Sequence, residues 1–255
     1  MSTDNILIEI KNLNFKYPKQ EDSGENSIAR LVLYDINLCI EKKEIVVLIG
    51  ASGCGKTTLC RCITGIIPRL IKGDITGTIS SYDKEITNVK EIGFGELSGY
   101  MGFVMQEPDH QIVMSTVEDD IAFGPENMMR DPQIIREAVD RTAAQVNLED
   151  KKLRTPTKLS GGEKQRLAIG GALVMESQIL IFDEPMSNLD NIEKVRFIEH
   201  IKKLREEGKT ILIVEHDYEQ LDFADKWVLM KNGRIIFQGA PENVDVNILE
   251  QELWQ

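Results

Sequence analysis

The run Gly50-Ala-Ser-Gly-Cys-Gly-Lys-Thr-Thr58 has the spacing G-x-x-x-x-G-K-[ST] between Gly50 and Thr57. Glycines at such positions let backbone N–H groups turn toward phosphate oxygens. The ammonium of Lys56 then reaches the terminal phosphates, and the Thr57 hydroxyl can ligate Mg²⁺. Gly50, Ser52, Gly53, Cys54, Gly55, Lys56, Thr57 and Thr58 are therefore candidate phosphate-binding positions. A plain glycine-rich turn is the bland alternative. Further along, the apolar run Ile179-Leu-Ile-Phe182 ends in Asp183-Glu184. Strands often end in acidic turns, so this pair means little alone. In a chain that also carries a phosphate cradle, Asp183 reads as a metal carboxylate and Glu184 as a general base facing an attacking water.

These residues need rigid elements to hold them. Glu44-Ile-Val-Val-Leu-Ile49 is a continuous apolar, β-branched run, as expected of a strand buried on both faces, and it leads directly into the cradle. Thr57 to Ile63 reads as the helix that follows, its positive end toward the phosphates. Ile6–Ile10, Leu13–Tyr17 and Leu31–Ile40 read as strands, with a polar loop from Pro18 to Arg30. From residue 98 to 159 the character turns helical: Asp131 is a cap, Pro132 a first helical residue, and Ile134, Ile135, Ala138, Val139 and Val146 follow at helical spacing. Strand and helix then alternate: Ile179–Phe182, a helix over Ile192–Glu207 stopped by Gly208, a strand over Thr210–Val214, and a hairpin around Lys231-Asn-Gly233. This pattern predicts an α/β fold with a mostly parallel core sheet. The core takes residues 1–97 and 160–240, with a β-rich N-terminal part, a helical insert over 98–159 and a short tail over 241–255.

Net charge is −12 over 255 residues, a field that disfavours nucleic acid as a partner. The apolar runs are far shorter than the ~20 residues a membrane span needs, and Met1-Ser-Thr-Asp-Asn5 lacks the basic and apolar regions of a signal peptide. A cytoplasmic chain is expected, held at the inner face of the membrane through partners. Cys39, Cys54, Cys60 and Cys62 match no zinc spacing and read as ordinary thiols. Cys54 is the exception, because a helix N-terminus beside it would lower its thiol pKa.

A third stretch, Leu159-Ser-Gly-Gly-Glu-Lys-Gln165, lies between the cradle and the Asp-Glu pair. Ser160, Gly161 and Gly162 open a helix and can offer N–H groups to a phosphate. In this order the motifs resemble the ATP-binding cassette (ABC) ATPases over nearly the whole chain. The resemblance implies further roles. Tyr17 stacks on adenine, Gln106 senses metal and water, and Ser187-Asn-Leu-Asp190 contacts an opposite subunit. His216 holds the γ-phosphate, and Ser160–Gly162 act on ATP bound by a second, identical or different, ABC subunit. ATP and Mg²⁺ are the implied ligands, with Thr57, Gln106 and Asp183 attending the metal. The chain departs from the family pattern at Lys43, where glycine is common, at Glu163, where glutamine is common, and at Glu215, where threonine is more usual.

The stretch from Gln106 to Asn127, with Pro-Asp-His-Gln-Ile and Ala122-Phe-Gly-Pro-Glu-Asn127, resembles ATPases of energy-coupling factor (ECF) vitamin and metal-ion importers, as does Ile66–Gly77. That implies an integral membrane transporter subunit as partner. Ile112, Val113, Met114 and Phe123 either dock its coupling helices or cover the insert's own core. A soluble ABC ATPase without a membrane partner, in cluster assembly or another remodelling task, is the alternative.

Overall fold

The computed structural model describes residues 5–18, 31–81, 84–88, 91–187, 189–216, 218 and 220–244. Among these residues, ten strands and seven α-helices follow in chain order: β1 (Ile6–Lys16), β2 (Leu31–Glu41), β3 (Ile45–Ile49), α1 (Lys56–Ile63), α2 (Ile66–Arg69), β4 (Asp74–Ser81), β5 (Lys84–Glu85), α3 (Phe94–Tyr100), β6 (Met101–Val104), α4 (Val117–Asn127), α5 (Pro132–Gln145), α6 (Gly161–Leu173), β7 (Ile179–Asp183), α7 (Asn191–Glu206), β8 (Thr210–Glu215), β9 (Lys226–Lys231) and β10 (Arg234–Gly239). They form two compact units, Met1–Leu97 with Leu212–Gln255, and Ser98–Ile211.

In the first unit, β2, β1, β4 and β5 make an antiparallel sheet in that order. The two strands expected at 6–10 and 13–17 are one strand, β1, whose register shifts around Asn12, held at φ 48°. Asn12 and Asp35 both adopt left-handed backbone, and Asn12 donates its N–H to Asn37 Oδ1 at 2.9 Å. Such bulges twist a strand without breaking its hydrophobic alternation. Beside this sheet element, β10, β9, β3 and β8 lie in order, with β3 parallel to β9 and β9 antiparallel to β10. All five β3 residues are buried, as its uninterrupted apolar run requires. The β9–β10 hairpin turns through Asn232 (φ 49°) and Gly233 (φ 76°), the two positive φ values of a tight primed turn.

In the second unit β6 pairs in parallel with β7, Met101 opposite Ile179 and Val104 opposite Phe182. Helices α4, α5 and α6 pack on one another. Helix α5 begins as expected: Asp131 accepts from Gln133 N at 2.8 Å and Pro132 takes the first position. Ile135, Ala138, Val139 and Val146 are buried, whereas Ile134 is 57% exposed. Helix α7 is capped by Asp190, which accepts from Ile192 N at 2.9 Å and Glu193 N at 2.8 Å, and ends at Gly208 (φ 95°). No helix among the described residues is long and apolar enough to cross a membrane.

The second unit's core centres on Phe182, fully buried in β7 and set edge-on to Phe197 of α7, with ring centroids 5.6 Å apart. Truncating such a ring removes its buried area and leaves a void. Phe182→Ala is expected to cost about 3–5 kcal/mol in urea unfolding. A loss below about 1 kcal/mol would mean this aromatic pair does not hold β7 against α7.

Candidate functional site

The phosphate-loop residues lie in the first unit, directly after β3. Gly53 (φ 76°) and Gly55 (φ 112°) take left-handed backbone, and Gly55 is the residue before α1. A Cβ on Gly50 would collide with the Met230 carbonyl oxygen, and one on Gly55 would press on Leu33 and the Val32 carbonyl. A Cβ on Gly53, by contrast, would meet open space. Ser52 and Gly53 are exposed, while Cys54, Gly55 and Lys56 are buried. The loop is thus packed on its protein side and open on the other.

Lys56 is 4% exposed, and its Nζ donates to the carbonyls of Gly50 at 2.6 Å and Ala51 at 3.2 Å. His216, after β8, brings Nδ1 to 3.4 Å from the same ammonium. Among the described residues no carboxylate pairs with Lys56. A buried ammonium with no carboxylate beside it is costly unless an anion completes its shell, so these donors suit a phosphate. Tyr17 sits at the end of β1, its hydroxyl 3.2 Å from Thr58 Oγ1 on α1 and its ring edge-on to Phe15. Thr57, in the first turn of α1, is half-buried.

Cys54 corrects the expectation drawn from the helix terminus. Burial pushes its thiol above the usual value, and the opposing pull of the Lys56 charge is smaller. The thiol packs inward; a Cβ on Gly50 would lie 2.8 Å from its Sγ.

The second unit holds the remaining candidates. Asp183 closes β7 and Glu184 follows it, both buried. Glu184 has φ 51°, a left-handed backbone at a residue with a Cβ, which surrounding contacts must hold in place. Gln106, exposed beyond the end of β6, donates from Nε2 to Glu184 Oε2 at 2.5 Å. The structure therefore joins two residues that the sequence placed far apart. The loop after Gln106 is braced as well. Gln111 accepts from Met105 N at 3.0 Å and donates to the Phe103 carbonyl at 3.1 Å, and Asp109 pairs with Lys164 of α6 at 2.7 Å. In Ser187-Asn-Leu-Asp190, Ser187 is exposed and Asp190 caps α7; Asn188 lies outside the described residues.

Ser160 caps α6 in a capping box: its hydroxyl accepts from Glu163 N at 3.3 Å, and Glu163 Oε2 accepts from Ser160 N at 2.8 Å. Gly161 is exposed and open, whereas a Cβ on Gly162 would run into the Glu193 carboxylate. Gln165, buried on the same helix, donates to the Pro185 carbonyl. Sequence reasoning gave Gln165 no role; only its tertiary contact reveals that it ties α6 to the turn carrying Glu184. Asp109, Lys164 and Asp120 were missed for the same reason. Asp120 Oδ1 accepts from Val113 N at 2.9 Å and Met114 N at 3.0 Å.

Val113 is 61% exposed and Phe123 44%, while Ile112 and Met114 are half-buried. Covering the core is therefore not the work of Val113 or Phe123.

Among metal donors, no group of three or more His, Cys, Asp or Glu gathers among the described residues. Thr57, Gln106 and Asp183 offer a hydroxyl, an amide oxygen and one carboxylate, hard oxygen donors of the sort Mg²⁺ uses when phosphates and water complete its shell.

Residues 33–187 match the family model described as ABC transporter. The chain belongs to the ABC transporter family. The energy-coupling factor transporter ATP-binding protein EcfA2 of Methanospirillum hungatei is 39% identical over 239 residues, covering 92% of this chain and 56% of that protein. A solved structure of cbiO1 from Clostridium perfringens, part of the ABC transporter complex cbiONQ, superposes with TM-score 0.79 at 31% identity over 97% of this chain and 92% of that one. The ATP-binding cassette MJ0796, in a dimeric post-hydrolysis state bound to ADP and Pi, superposes with TM-score 0.77 at 25% identity over 92% of this chain and 98% of that one. The α/β phosphate-loop ATPase fold expected from sequence is thus the fold of this ABC transporter family member. The chain spans about half the length of several curated relatives it matches, 43%, 56% and 39% of three of them.

The departure at Glu163 has a measurable consequence. Hydrogen bonds from Lys151 and the Ser160 N–H hold its carboxyl below the usual carboxylate pKa. A depressed folded-state pKa stabilises the fold above the unfolded pKa and loses that contribution as pH falls through the folded value. Glu163→Gln keeps an acceptor for Ser160 N but loses the Lys151 ion pair, 2.5 Å long. Wild type should therefore be the more stable at neutral pH, and the difference should shrink as pH drops below the ordinary carboxylate range. A difference independent of pH, followed by denaturation from neutral to acid, would contradict this account.

Proposed function

We propose that this chain is the ATP-binding and ATP-hydrolysing subunit of an ECF-type membrane importer of a vitamin or metal ion. The observation that carries the nucleotide reading is the buried Lys56 ammonium, satisfied by carbonyls and lacking a carboxylate among the described residues. Lys56 and the backbone from Gly53 to Thr58 hold the phosphates, Tyr17 the adenine, and His216 the γ-phosphate. Thr57, Gln106 and Asp183 would hold Mg²⁺, which when bound would supply positive charge against the phosphate oxygens. Glu184 accepts a proton from the attacking water, and Gln106 orients the Glu184 carboxylate through their hydrogen bond.

Ser160, Gly161 and Gly162 act in trans, on ATP held by a second ABC subunit, identical or different. ATP then binds more tightly to the closed dimer than to the open one, and this difference in affinity is what hydrolysis releases. The post-hydrolysis dimer of MJ0796 with ADP and Pi supports this arrangement. The import reading rests on the names of EcfA2 and of the cbiONQ complex, together with the exposed Val113 and Phe123. In this reading residues 98–159 are the inserted helical part, and Val113 and Phe123 receive an apolar element of the membrane subunit. The chain works on the cytoplasmic face, and nucleic acid has no part in it.

Glu184→Gln should lower ATP turnover by about 10²-fold or more while preserving ATP binding and accumulating an ATP-dependent dimer. Full turnover in that variant would remove Glu184 from the role of base. Tagged Glu184→Gln protein, recovered from native membranes in mild detergent, should bring with it a small multi-spanning protein identifiable by mass spectrometry. Recovery with cytosolic proteins alone would support a non-transport ABC ATPase instead.

A further inference from the structure

Among the described residues β6 has one strand neighbour, β7, with which it pairs in parallel. Its other edge is left with main-chain groups of the kind an adjoining strand takes. Gln111 takes two of them. Its Oε1 accepts from Met105 N at 3.0 Å, and its Nε2 donates to the Phe103 carbonyl at 3.1 Å. These two groups flank Val104 and lie on the same edge of the extended chain. A residue of a parallel strand set opposite Val104 would bond to the same pair. One side-chain amide thus stands in for a strand residue at the last position of β6.

The next residue after Met105 is Gln106, whose Nε2 donates to Glu184 Oε2 at 2.5 Å. Packing does not fix this point: Met105 is 37% exposed, and Gln106 and Glu107 are exposed as well. Hydrogen bonds therefore set the direction in which the chain leaves β6. Gln111 is itself anchored. Its N–H donates to the Pro108 carbonyl at 2.9 Å, closing the turn Pro108–His110. Asp109 in that turn accepts from Lys164 of α6 through both carboxylate oxygens, at 2.7 and 3.0 Å. The amide of Gln111 ties this anchored turn to the residue that precedes Gln106.

We propose that Gln111 is a positioning residue for ATP hydrolysis: by completing the edge of β6 it fixes Met105, and so holds Gln106 where its amide meets the Glu184 carboxylate. The proposal rests on the role of Glu184 as base given under the proposed function. Gln111 itself touches neither nucleotide nor attacking water. The position asks for one donor and one acceptor, side by side, at the reach of a glutamine. Methionine has the length but no N–H, and asparagine is a methylene too short. A carboxylate accepts from Met105 N but turns a second acceptor toward the Phe103 carbonyl, where repulsion replaces a bond.

Gln111→Glu turns that requirement into a pH readout. A protonated carboxyl carries an O–H for the Phe103 carbonyl and a C=O for Met105 N, so it restores both bonds. The first of these exists only in the protonated form and pulls the carboxyl pKa upward. The surrounding charges are Glu107, Asp109 and His110 on the same turn and Lys164 of α6, already paired with Asp109. Asp120 of α4, bonded to Val113 N and Met114 N, and Glu184 beyond Gln106 complete the set. All of these are present in wild type, so the variant kcat is divided by the wild-type kcat at each pH. That ratio should climb toward one as pH falls from about 8 to about 5.5, while the ratio for Gln111→Met stays low throughout.

With MgATP and the full chain at neutral pH, Gln111→Met and Gln111→Glu should each lose about tenfold or more in kcat. KM for ATP should stay within about twofold of wild type, as expected when a reacting group is misplaced and the nucleotide contacts are intact. Deuterium exchange of the Met105 N–H, followed by NMR, should quicken in Gln111→Met. An undiminished kcat in Gln111→Met, a loss confined to KM, a pH-independent ratio for Gln111→Glu, or unchanged exchange at Met105 would each overturn the proposal. Glu184→Gln assayed alongside separates it from the reading it rests on. Full turnover in Glu184→Gln removes the base and this proposal together, whereas a crippled Glu184→Gln beside a fully active Gln111→Met overturns the proposal alone.

Discussion

A buried ammonium held by two carbonyl oxygens, with no carboxylate beside it among the described residues, is the constraint around which the first unit is organised. Lys56 draws in the carbonyls of Gly50 and Ala51, which forces the chain to double back through Gly53 and Gly55 in left-handed conformations. That path is stable only if something supports it from behind. The support is the β9–β10 hairpin: Gly233 donates its N–H to the Cys54 carbonyl at 2.9 Å and accepts from Tyr34 N at 2.8 Å. A side chain at Gly233 would strike the Val32 carbonyl, so this glycine is required by crowding as well as by its φ. The turn through Gly233 is thereby a structural part of a loop at residue 50, and Val32 and Tyr34 of β2 pack against the two.

The second unit answers a different difficulty, that of holding a carboxylate in a fixed direction on a strained backbone. Glu184 is kept at φ 51° by contacts on two sides. Gln165 of α6 takes the carbonyl of the next residue, Pro185, and Gln106 takes the carboxylate itself. Gln106 in turn belongs to a loop tied to β6 by Gln111 and to α6 by the Asp109–Lys164 pair. The segment that carries the exposed Val113 is pinned through Asp120. The segment from Gln106 to Asp120 is thus tied at one end to the Glu184 carboxylate and at the other to α4 by short-range hydrogen bonds.

How much of this the sequence revealed depended on whether the signal was local. Strands β3 and β7 were legible because strands buried on both faces need unbroken apolar runs, and the hairpin because Asn-Gly is a turn in its own right. Helix α5 announced itself through Asp131, Pro132 and its periodicity. Strand β4 was invisible: its mostly polar sequence is strand only because β1, distant in the chain, supplies its partners, and Gly77 fits under the Asn12 carbonyl. Strand β6 is four residues long and starts with the pair Met101-Gly102, the glycine admitted by close packing against Ala172 and Leu180. Helix α4 contains Gly124 and Pro125, both breakers by propensity; tertiary packing on α5 and α6 overrides them, and Gly124 leaves room for Met175. The thiol of Cys54 was misjudged because a helix end was visible in the sequence and its burial was not.

The departures from the family pattern show what such a motif encodes. Lys43, where glycine is common, adopts φ 62°, so the turn keeps the glycine conformation and bears a strain of order 1 kcal/mol. Neighbouring contacts close the turn regardless: Glu44 Oε2 accepts from Glu41 N at 2.8 Å, and Glu44 Oε1 pairs with Lys226 at 2.7 Å. At Glu163 the position requires an acceptor for the Ser160 N–H three residues into α6, and a carboxylate serves as an amide oxygen would. The carboxylate adds a charge near the positive helix end, where it is favourable, and Lys151 neutralises it. In both places this chain meets the geometry or the hydrogen bond with a residue type other than the common one. The same reasoning separates Glu215 from Glu184: at the end of β8, Glu215 is a buried member of the strand with no left-handed backbone to aim it, whereas Glu184 is turned by its φ toward Gln106. The position of a carboxylate in the list of family residues matters less than the backbone that directs it.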